Sequence, residues 1–417
     1  MHVAVLGAGV VGVAAAWYLQ RAGCTVTVID RRETVAAETS FANGGQISVS
    51  HAEPWATPRA LRKLPAWLLD RDSPLRWSPT ADPALWRWLF AFLGECRPER
   101  VRRNIRDLVR LGLYSRAQLQ ALRAELGLQY AQRTRGILHI YTDAGELRAA
   151  AKAAALMREF GCAREVLDVD AALTIEPALR SSASRLVGAT YTADDESGDA
   201  HAFTQQLAEH CRRRGVRFLL GQRIEALEPV GEHIAAVRLT GADGEHRISA
   251  DAYVLALGSH STALARQIGL HLPIQPAKGY SLTMPVRDPD RAWNVSLTDD
   301  EHRLVFSRLG ERLRIAGMAE LGGVDTTLDP RRCALLLQRT EALFPGAGDA
   351  TQAQYWCGLR PSTPSNLPCI GRTRYRNLYL DTGHGTLGWT LACGSGRALA
   401  DLVCARPPEV DFPISQP

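Results

Sequence analysis

The 417-residue chain lacks paired cysteines: its nine cysteines are scattered, and no two of them form a C-x-x-C pair. Zinc sites and disulfide frameworks depend on regular spacing of this kind, so we expect neither a metal site nor a disulfide framework. Unpaired thiols in a chain of this length favour a reducing compartment. The sequence therefore predicts a cytoplasmic protein without a bound metal.

Concentrated charge is also lacking, since charged residues make up 22% of the chain and the formal net charge is only +5. Binding of nucleic acid usually needs a basic stripe or patch, so we expect no nucleic-acid partner. A mildly basic surface still suits an anionic substrate or contact with an anionic lipid surface.

Long apolar runs are rare. The one near the N-terminus, Val3–Leu19, lacks the basic residues and the cleavage site of a signal peptide. It is also shorter than the roughly 20 apolar residues that span a membrane. Three glycines within it indicate a different role.

Those glycines belong to Gly7-Ala-Gly-Val-Val-Gly12, which fits the G-x-G-x-x-G pattern of dinucleotide-binding folds. We predict a strand at His2–Leu6, a turn at Gly7–Gly12, a helix at Val13–Ala22 and a strand at Thr25–Ile29 that ends in Asp30. A glycine motif alone is weak, but here it has the strand, the helix and the acidic residue that dinucleotide binding requires. We therefore predict a bound dinucleotide.

Each glycine of this motif has a physical role. Gly7 makes the tight turn after the strand, Gly9 lets a pyrophosphate approach the backbone, and Gly12 lets helix and strand pack closely. The N–H groups at the start of the helix attract the phosphates, and the carboxylate of Asp30 accepts hydrogen bonds from ribose hydroxyls. The motif does not separate FAD from NAD.

The chain has an α/β pattern at both ends, with a β-rich insertion between them. Apolar strands at Ala252–Leu257 and Leu378–Leu380 belong to the α/β part, whereas residues 279–320 alternate as antiparallel strands do. One domain is thus predicted to be assembled from separate pieces of chain.

A series of further motifs lies in order along the chain: Glu38-Thr-Ser40, Asn43-Gly-Gly-Gln-Ile-Ser48, Asp195-Glu-Ser-Gly-Asp199, Lys278-Gly-Tyr-Ser281, Gly358-Leu-Arg-Pro-Ser-Thr-Pro364, Pro368-Cys-Ile-Gly371, Asn377–Trp389 and Gly394-Ser-Gly396. This series resembles the D-amino-acid oxidase and glycine oxidase superfamily of flavoenzymes, and within it the bacterial D-amino acid dehydrogenases. The resemblance runs from the first strand to about Val403.

The resemblance implies an α/β fold, α+β overall, with a Rossmann-like FAD-binding domain and a substrate domain built on a large, mostly antiparallel sheet. We assign residues 1–48, 162–262 and 355–417 to the FAD-binding domain, and residues 49–161 and 263–354 to the substrate-binding domain. Non-covalent FAD is expected, because the sequence around Cys357 does not match relatives that link flavin to a cysteine.

The same resemblance implies oxidation of a D-amino acid such as D-alanine to an imino acid, which hydrolyses to a 2-oxo acid and ammonia. Hydride would pass from the substrate α-carbon to flavin N5, and the electrons would then pass to a quinone or another respiratory acceptor. The sequence shows no catalytic triad or carboxylate pair, which fits a hydride transfer that needs no strong side-chain base.

Three residues are predicted to meet the substrate. Arg360 matches the family arginine that binds the substrate carboxylate, and a guanidinium suits this role because it can donate two parallel hydrogen bonds. The alternative is an arginine in a structural ion pair. Tyr280 is a candidate for the substrate pocket or an ordinary packed tyrosine, and His384 is a candidate for a polar contact near the flavin.

The residues predicted to hold FAD lie in the dinucleotide turn, after the ribose strand, at two strand ends and in the glycine-rich turn near the C-terminus. That last turn is expected to pass under the flavin ring, and the helix after it to point its positive end at the ring. The full set is Gly7, Gly9, Val10, Val11, Gly12, Asp30, Arg31, Ser40, Asn43, Gly44, Gln46, Ile47, Ile224, Gly258, Gly383, Gly385, Thr386, Leu387, Gly388 and Trp389.

Residues 52–100 contain five of the nine tryptophans: Trp55, Trp67, Trp77, Trp86 and Trp88. A helix from about Leu85 would carry several aromatic and aliphatic residues on or near one face. A peripheral contact with the inner membrane, useful for reaching a quinone, explains this composition. A lid packed on the substrate domain explains it equally well.

Three alternatives stay open at this point. The first is another flavoenzyme of the same fold, such as a glycine or sarcosine oxidase or a hydroxyproline dehydrogenase. The second is an NAD-dependent oxidoreductase, which the glycine motif also allows. The third is a flavoprotein without catalytic activity that acts as a sensor or partner subunit.

Overall fold

The computed structural model describes residues 1–61, 73, 75–77 and 82–413. It has the predicted mixed α/β fold, with two large sheets and helices packed against them. Of the aromatic segment, Trp67 and the side chain of Trp77 lie outside the described residues. No helix in the described ranges is both long and apolar enough to cross a membrane.

A six-stranded sheet contains the dinucleotide-binding unit. Its strands are β1 (His2–Leu6), β2 (Thr25–Ile29), β9 (Arg217–Leu219), β13 (Ala252–Leu255), β19 (Cys369–Arg372) and β20 (Leu378–Thr382). They follow the order β19-β20-β13-β1-β2-β9, and every pair is parallel except β19 and β20. A parallel sheet covered on both faces needs continuous apolar strands, and residues 3–6 of β1 are fully buried.

The described helices pack around the two large sheets. They are α1 (Val10–Arg21), α2 (Pro83–Glu95), α3 (Pro98–Leu126), α4 (Ala144–Glu159), α5 (Val169–Ile175), α6 (Ala200–Arg213), α7 (Ser261–Gln267), α8 (Pro330–Leu343) and α9 (Gly388–Val403). Short 3-10 turns lie at Val49–His51, Pro177–Arg185, Gly258–His260, Ala350–Gln352 and Gly385–Leu387.

The Gly394-Ser-Gly396 motif lets three helices meet closely. A Cβ atom on Gly396 would lie 2.8 Å from the backbone nitrogen of Ala15 in α1, and one on Gly394 would lie 2.7 Å from Cβ of Ser115 in α3. The Gly394 N–H also donates to Ser115 Oγ at 2.9 Å. Helix α9 is therefore fixed against the helix of the dinucleotide motif.

A nine-stranded sheet forms the second layer. Its strands are β4 (Leu75–Trp77), β5 (Ile137–Tyr141), β6 (Glu165–Leu167), β7 (Gly188–Thr192), β14 (Gln275–Pro285), β15 (Ser296–Asp299), β16 (Leu304–Leu309), β17 (Arg312–Leu321) and β18 (Gln354–Ser362). Its pairs are antiparallel except β15 with β5 and β17 with β4, as the prediction of a mostly antiparallel sheet requires. Trp293, Phe306 and Phe344 pack together in its core.

Two smaller sheets were not predicted. One is a meander of β10 (Arg223–Val230), β11 (His233–Gly241) and β12 (Gly244–Ile248), and the other pairs β3 (Gln46–Ile47) with β8 (Glu196–Ser197). The predicted turn over Gly7–Gly12 was too long, because Gly9 serves as the N-cap and helix α1 begins at Val10.

The domain boundaries drawn from the sequence stay a prediction, and strand pairing suggests a revision of them. β6 and β7 lie within the predicted FAD-binding segment 162–262, yet they pair in the nine-stranded sheet. β18 begins the predicted segment 355–417 and pairs with β14 of the same sheet. We propose that residues 165–192 and 354–362 belong to the substrate-binding domain.

Candidate active site

A cavity of about 690 Å³ lies between the two large sheets. One wall is formed by the loops that follow β1, β13 and β20, at the carboxyl ends of parallel strands. This is the usual ligand position in such sheets. The other wall is formed by β14, β17 and β18 of the nine-stranded sheet. A volume in this range is typical of ligand pockets.

At one end of the cavity, the dinucleotide turn has no room for side chains. Gly7 has a φ of +117°, and a Cβ atom there would lie 2.4 Å from the carbonyl oxygen of Ala256. A Cβ atom on Gly12 would lie 2.0 Å from the carbonyl oxygen of Gly7. Gly9 is the N-cap of α1, and Gly9, Val10 and Val11 line the cavity. The positive end of the helix therefore faces the cavity.

The acidic residue at the end of β2 is fixed by backbone groups. Asp30 Oδ2 accepts a hydrogen bond from the N–H of Ala8 at 2.7 Å, and its Oδ1 accepts one from the N–H of Arg32 at 2.8 Å. The neighbouring Arg31 pairs with Glu38 at 2.7 Å and contacts His260 Nε2 at 2.9 Å. These groups line the cavity together with Ile224 of β10 and Gly258.

The loop after β2 connects the two walls. The side-chain amide of Gln46 donates to the carbonyl of Leu297 at 3.1 Å and contacts Thr298 Oγ1 at 3.2 Å. The carbonyl of Gly44 accepts a hydrogen bond from Ser307 Oγ at 2.7 Å, and Ser40 Oγ accepts one from the N–H of Val10 at 3.0 Å. The loop is therefore attached to both sheets along the length of the cavity.

At the other end, the turn after β20 brings a second helix N-terminus to the cavity. Gly383 and Gly385 have positive φ values of +78° and +54°, which favour glycine. Helix α9 then begins at Gly388 without a side-chain cap, and Thr386, Leu387, Gly388 and Trp389 line the cavity. The positive end of α9 is thus placed where a negative charge on a ligand would be stabilised.

His384 in this turn is directed into a buried polar group. Its Nε2 lies 3.1 Å from Ser395 Oγ and 3.4 Å from Asp381 Oδ1. His384 and Asp381 are both buried, and burial raises the pKa of the Asp381 carboxyl. The arrangement suits a positioning role for His384 better than that of a general base.

Arg360 presents a half-buried cation to the cavity. Its guanidinium donates to the carbonyls of Met318 at 2.6 Å and Gly317 at 3.3 Å, and no carboxylate pairs with it among the described residues. Burial lowers its pKa to about 10. A Cβ atom on Gly279 would lie 2.2 Å from Arg360 Nη1, so that glycine makes room for the guanidinium.

The surroundings of Arg360 are apolar. Arg360 pairs across β14 with Ala277, whose side chain packs with Trp88 of α2 and Leu321 of β17. Partly buried Trp55, Leu89 and Phe92 complete this cluster. An anion that enters this compartment leaves water, so its interaction with the guanidinium is stronger there than at a surface.

Tyr280 follows Gly279 on β14, so its side chain points to the opposite face from Arg360 and packs with Cys357 in the core of the nine-stranded sheet. The hydroxyl donates to Glu320 Oε2 at 3.1 Å, and Glu320 Oε1 accepts a hydrogen bond from Arg332 at 2.8 Å. The ammonium group of Lys278 lies 5.5 Å from the centre of the tyrosine ring. The ring is therefore packed in the core on the far side of β14, which matches the alternative of an ordinary packed tyrosine and not a substrate contact.

Most of the predicted site residues meet at this one cavity. The exceptions are Gly12 and Ile47, which are packed in the core beside it, Gly383, which lies in the turn behind it, and Tyr280, whose side chain packs in the core of the nine-stranded sheet. The sequence interpretation missed other lining residues, which no contiguous motif marks. They include His51, Arg223, His260, Asp300, Arg303 and Trp356.

Helix α2 covers the apolar end of the cavity. Leu85 and Trp88 are buried, and Trp88 Nε1 donates to the carbonyl of Ser362 at 2.9 Å. The opposite side of the same helix leaves Phe90 69% exposed and Leu93 44% exposed. The lid that the sequence allowed is therefore present, and its outer face is apolar as well.

Comparison with known proteins shows which family the chain belongs to. The family model described as "FAD dependent oxidoreductase" (DAO) matches residues 2–402. The chain belongs to this family. A protein named D-amino acid dehydrogenase from Dechloromonas aromatica is 56% identical over 415 residues, covering 99% of both chains. Another of that name, from Paramagnetospirillum magneticum, is 51% identical, covering 99% of this chain and 97% of its own.

Solved structures of other enzymes share the fold. The L-proline dehydrogenase from P. horikoshii has a TM-score of 0.77 at 17% identity, covering 98% of this chain and 95% of its own. The glycine oxidase from Geobacillus kaustophilus has a TM-score of 0.76 at 23% identity, covering 98% and 96%. The predicted superfamily is confirmed, and FAD rather than NAD is the cofactor.

The residues at the cavity fit FAD. Gly9 lines the cavity, and a Cβ atom there would meet only Ser40 Oγ, at 3.5 Å, so the backbone at the start of α1 is open to a ligand, with Asp30 beside it. The N-terminus of α9, at Gly388, meets the cavity at the far end. An elongated ligand with a pyrophosphate near one helix and a ring near the other would satisfy both positive ends.

Cys357 is turned away from this site. Its thiol donates to the carbonyl of Thr326 at 2.8 Å, and its side chain packs in the core of the nine-stranded sheet. Burial raises its pKa, so a reactive thiolate is disfavoured. This position supports the prediction of non-covalent FAD.

Proposed function

We propose that this protein oxidises D-amino acids to imino acids, which hydrolyse to 2-oxo acids and ammonia. The observation that carries the proposal is Arg360, a half-buried guanidinium on the cavity wall without a carboxylate partner among the described residues. An amino acid supplies the missing carboxylate, and the fork of the guanidinium can hold both of its oxygens. The names of the relatives at 56% and 51% identity support the D configuration.

The chain's own groups then orient the substrate and exclude water. Arg360 binds the carboxylate, while the apolar cluster under α2 encloses the rest of the molecule. FAD, when bound, supplies the hydride acceptor. The N-terminus of α9 would stabilise negative charge on a cofactor bound at that end of the cavity.

The first experiment adds D-alanine and then L-alanine to the purified protein without oxygen and follows the visible flavin absorbance. We expect bleaching with the D form only. A yellow protein that bleaches with neither form, but does so with glycine, sarcosine or a proline derivative, would contradict the D-amino acid proposal while keeping the family. No bleaching with any amine would favour a flavoprotein without catalytic activity.

We further propose that electrons leave to a quinone, with helix α2 resting on the membrane surface. The dehydrogenase name of the relatives supports an acceptor other than oxygen. The outer face of α2 exposes Trp86, Phe90 and Leu93 beside the exposed Arg87 and Arg97. Such a mixture of aromatic and basic groups is typical of helices that lie on anionic lipid surfaces.

This surface is tested by co-sedimentation with vesicles that contain anionic lipid. Replacing Phe90 and Leu93 together by serine should reduce vesicle binding several-fold. Because both residues also border the cavity, D-alanine oxidation with a soluble dye is measured on the same variant to separate a surface effect from a change in the site. Val230, which is 68% exposed on the β10–β11 hairpin, gives a matched control as Val230→Ser. Equal vesicle binding by all three proteins would contradict the membrane proposal and leave the reaction unaffected.

A further inference from the structure

A group of polar side chains on the cavity wall has no role in the proposed function as described so far. His51 and Asp300 line the cavity, and His139 lies directly behind them with 1% exposure. One nitrogen or oxygen atom from each side chain lies within 4.8 Å of the other two. The rings of His51 and His139 stack with their centres 6.0 Å apart.

Buried donors hold Asp300 in place. Its Oδ2 lies 2.8 Å from His139 Nδ1, accepts a hydrogen bond from the hydroxyl of Tyr141 at 2.8 Å and lies 3.9 Å from Arg164 Nη2. Burial by itself would raise the pKa of Asp300, but His139 and Arg164 outweigh it and keep that pKa well below its ordinary value. The carboxylate is therefore ionised.

The two histidines stay neutral beside it. Burial and the nearby Arg164 lower the pKa of His139, whose Nε2 contacts Ser50 Oγ at 3.3 Å. Burial and His139 lower the pKa of His51 to about 4, with Arg303 and Arg164 acting in the same direction and Asp300 against them. Both ring nitrogens of His139 are engaged, so the group lacks a full set of free metal ligands.

Two acceptors of this group face the cavity without a partner. Within the described residues, neither the ring nitrogens of His51 nor Oδ1 of Asp300 take part in a hydrogen bond. A neutral imidazole and an ionised carboxylate side by side suit a group that carries several N–H donors and a positive charge.

The group lies at the same end of the cavity as Arg360. The N–H of Met318 donates to the carbonyl of Arg303 at 3.4 Å, and the carbonyl of Met318 accepts a hydrogen bond from Arg360. The N–H of Ser48, three residues before His51, donates to Thr390 Oγ1 at 3.0 Å in the first turn of α9. The Asp300–Arg303 loop and the His51 turn thus flank the end of the cavity opposite Asp30.

We propose that Asp300 and His51 bind the substrate's ammonium group while Arg360 binds its carboxylate. This inference rests on the proposed function and deepens it. Two anchors of opposite character match the two charged ends of an α-amino acid. They also discriminate against 2-hydroxy acids, because a hydroxyl group offers one donor and no positive charge.

The test measures binding of two ligands that cannot be oxidised, because neither holds both an amine and an α-hydrogen. 2-Methylalanine carries the ammonium and the carboxylate, whereas isobutyrate carries the carboxylate alone. Binding to the FAD-loaded protein is followed by the change in the visible flavin spectrum. We expect His51→Leu and Asp300→Asn each to weaken the binding of 2-methylalanine about tenfold or more, which is the effect of losing one hydrogen bond to a charged group. The affinity for isobutyrate should change by less than about twofold.

His271, which is exposed, provides the control variant His271→Gln, for which no change is expected. His51→Leu keeps the test decisive if Asp300→Asn does not fold, because the hydrogen bonds that hold His139 and Asp300 in place do not involve the His51 ring. If the variants weaken the binding of both ligands equally, or weaken the binding of neither, the ammonium site is contradicted and the proposed function is unaffected. Failure of both ligands to bind the unaltered protein would instead contradict the proposed function itself.

Discussion

Replacing Arg360 by leucine removes the cation on which the proposed substrate orientation depends. The guanidinium has no carboxylate partner in the described part of the chain, so the change breaks no ion pair there. It does release the carbonyls of Met318 and Gly317, which lose their hydrogen bonds at 2.6 Å and 3.3 Å. We therefore expect a large loss of substrate affinity and a smaller decrease in the free energy of unfolding.

The magnitude follows from the position of Arg360 in an apolar compartment. Removing one partner of a buried, hydrogen-bonded charge pair costs about 2–5 kcal/mol. We take about 3–4 kcal/mol for a carboxylate that loses both hydrogen bonds, which corresponds to a factor of roughly 150 to 900 in affinity. Arg360→Lys keeps the charge without the fork, and we expect an intermediate loss.

The assay is the concentration dependence of anaerobic flavin bleaching by D-alanine. Arg360→Leu should raise the half-saturating concentration by two to three orders of magnitude while the visible flavin spectrum shows that FAD is retained. Arg339→Leu, at an exposed arginine of α8, controls for loss of one positive charge. A half-saturating concentration within about threefold of the unaltered protein would remove Arg360 from the substrate site and refute the reasoning.

Three further changes test the cofactor site. Gly7→Ala should abolish FAD retention, because its Cβ would lie 2.4 Å from the Ala256 carbonyl. Gly23→Ala, also at positive φ but with no atom within 4 Å, should retain FAD, and loss of FAD from both variants would mean that backbone strain alone is responsible. Because burial raises the pKa of Asp381, the native state favours the protonated form. Its contribution to stability is fully present below about pH 4 and is lost as pH rises through the folded-state pKa, at a rate of at most about 1.4 kcal/mol for each unit of pH. Asp381→Asn should flatten this part of the pH dependence of the free energy of unfolding, and an unchanged slope would contradict the assigned cause. Cys357→Ser should keep its flavin, and denaturation of the unaltered protein should release all of it; flavin that stays with the denatured chain would show a covalent link.

The dinucleotide-binding unit could be predicted from the sequence because its determinants are local. A buried strand, closely spaced glycines and an acidic residue all lie within the first 30 residues. Their roles follow from steric limits that hold in any chain, and the structure shows those limits at Gly7 and Gly12. The start of the helix was wrong by three residues, because the extended backbone of Gly9 caps the helix earlier than the motif suggests.

The sequence did not identify the group around Asp300. His51, His139 and Asp300 are far apart in the chain and belong to no contiguous motif. They meet because β15 pairs with β5 in parallel, which brings Thr298 beside His139, while the β3–β8 pair holds the segment that leads to His51. Strand register of this kind is set by packing between distant segments, and a single sequence does not display it.

The sequence by itself determined the family and the cofactor and proposed Arg360 as the carboxylate-binding residue, because each depends on short runs of residues that can be recognised without the fold. The tertiary structure decided which of those residues share a cavity and how the aromatic segment is used. Helix α2 has apolar residues on both sides, so its periodicity did not separate a lid from a membrane surface. Contact of Trp88 with Ala277 and Leu321 makes one side a lid, and exposure of Phe90 leaves the other side apolar. Burial depends on the whole fold, and for that reason it became known only from the structure.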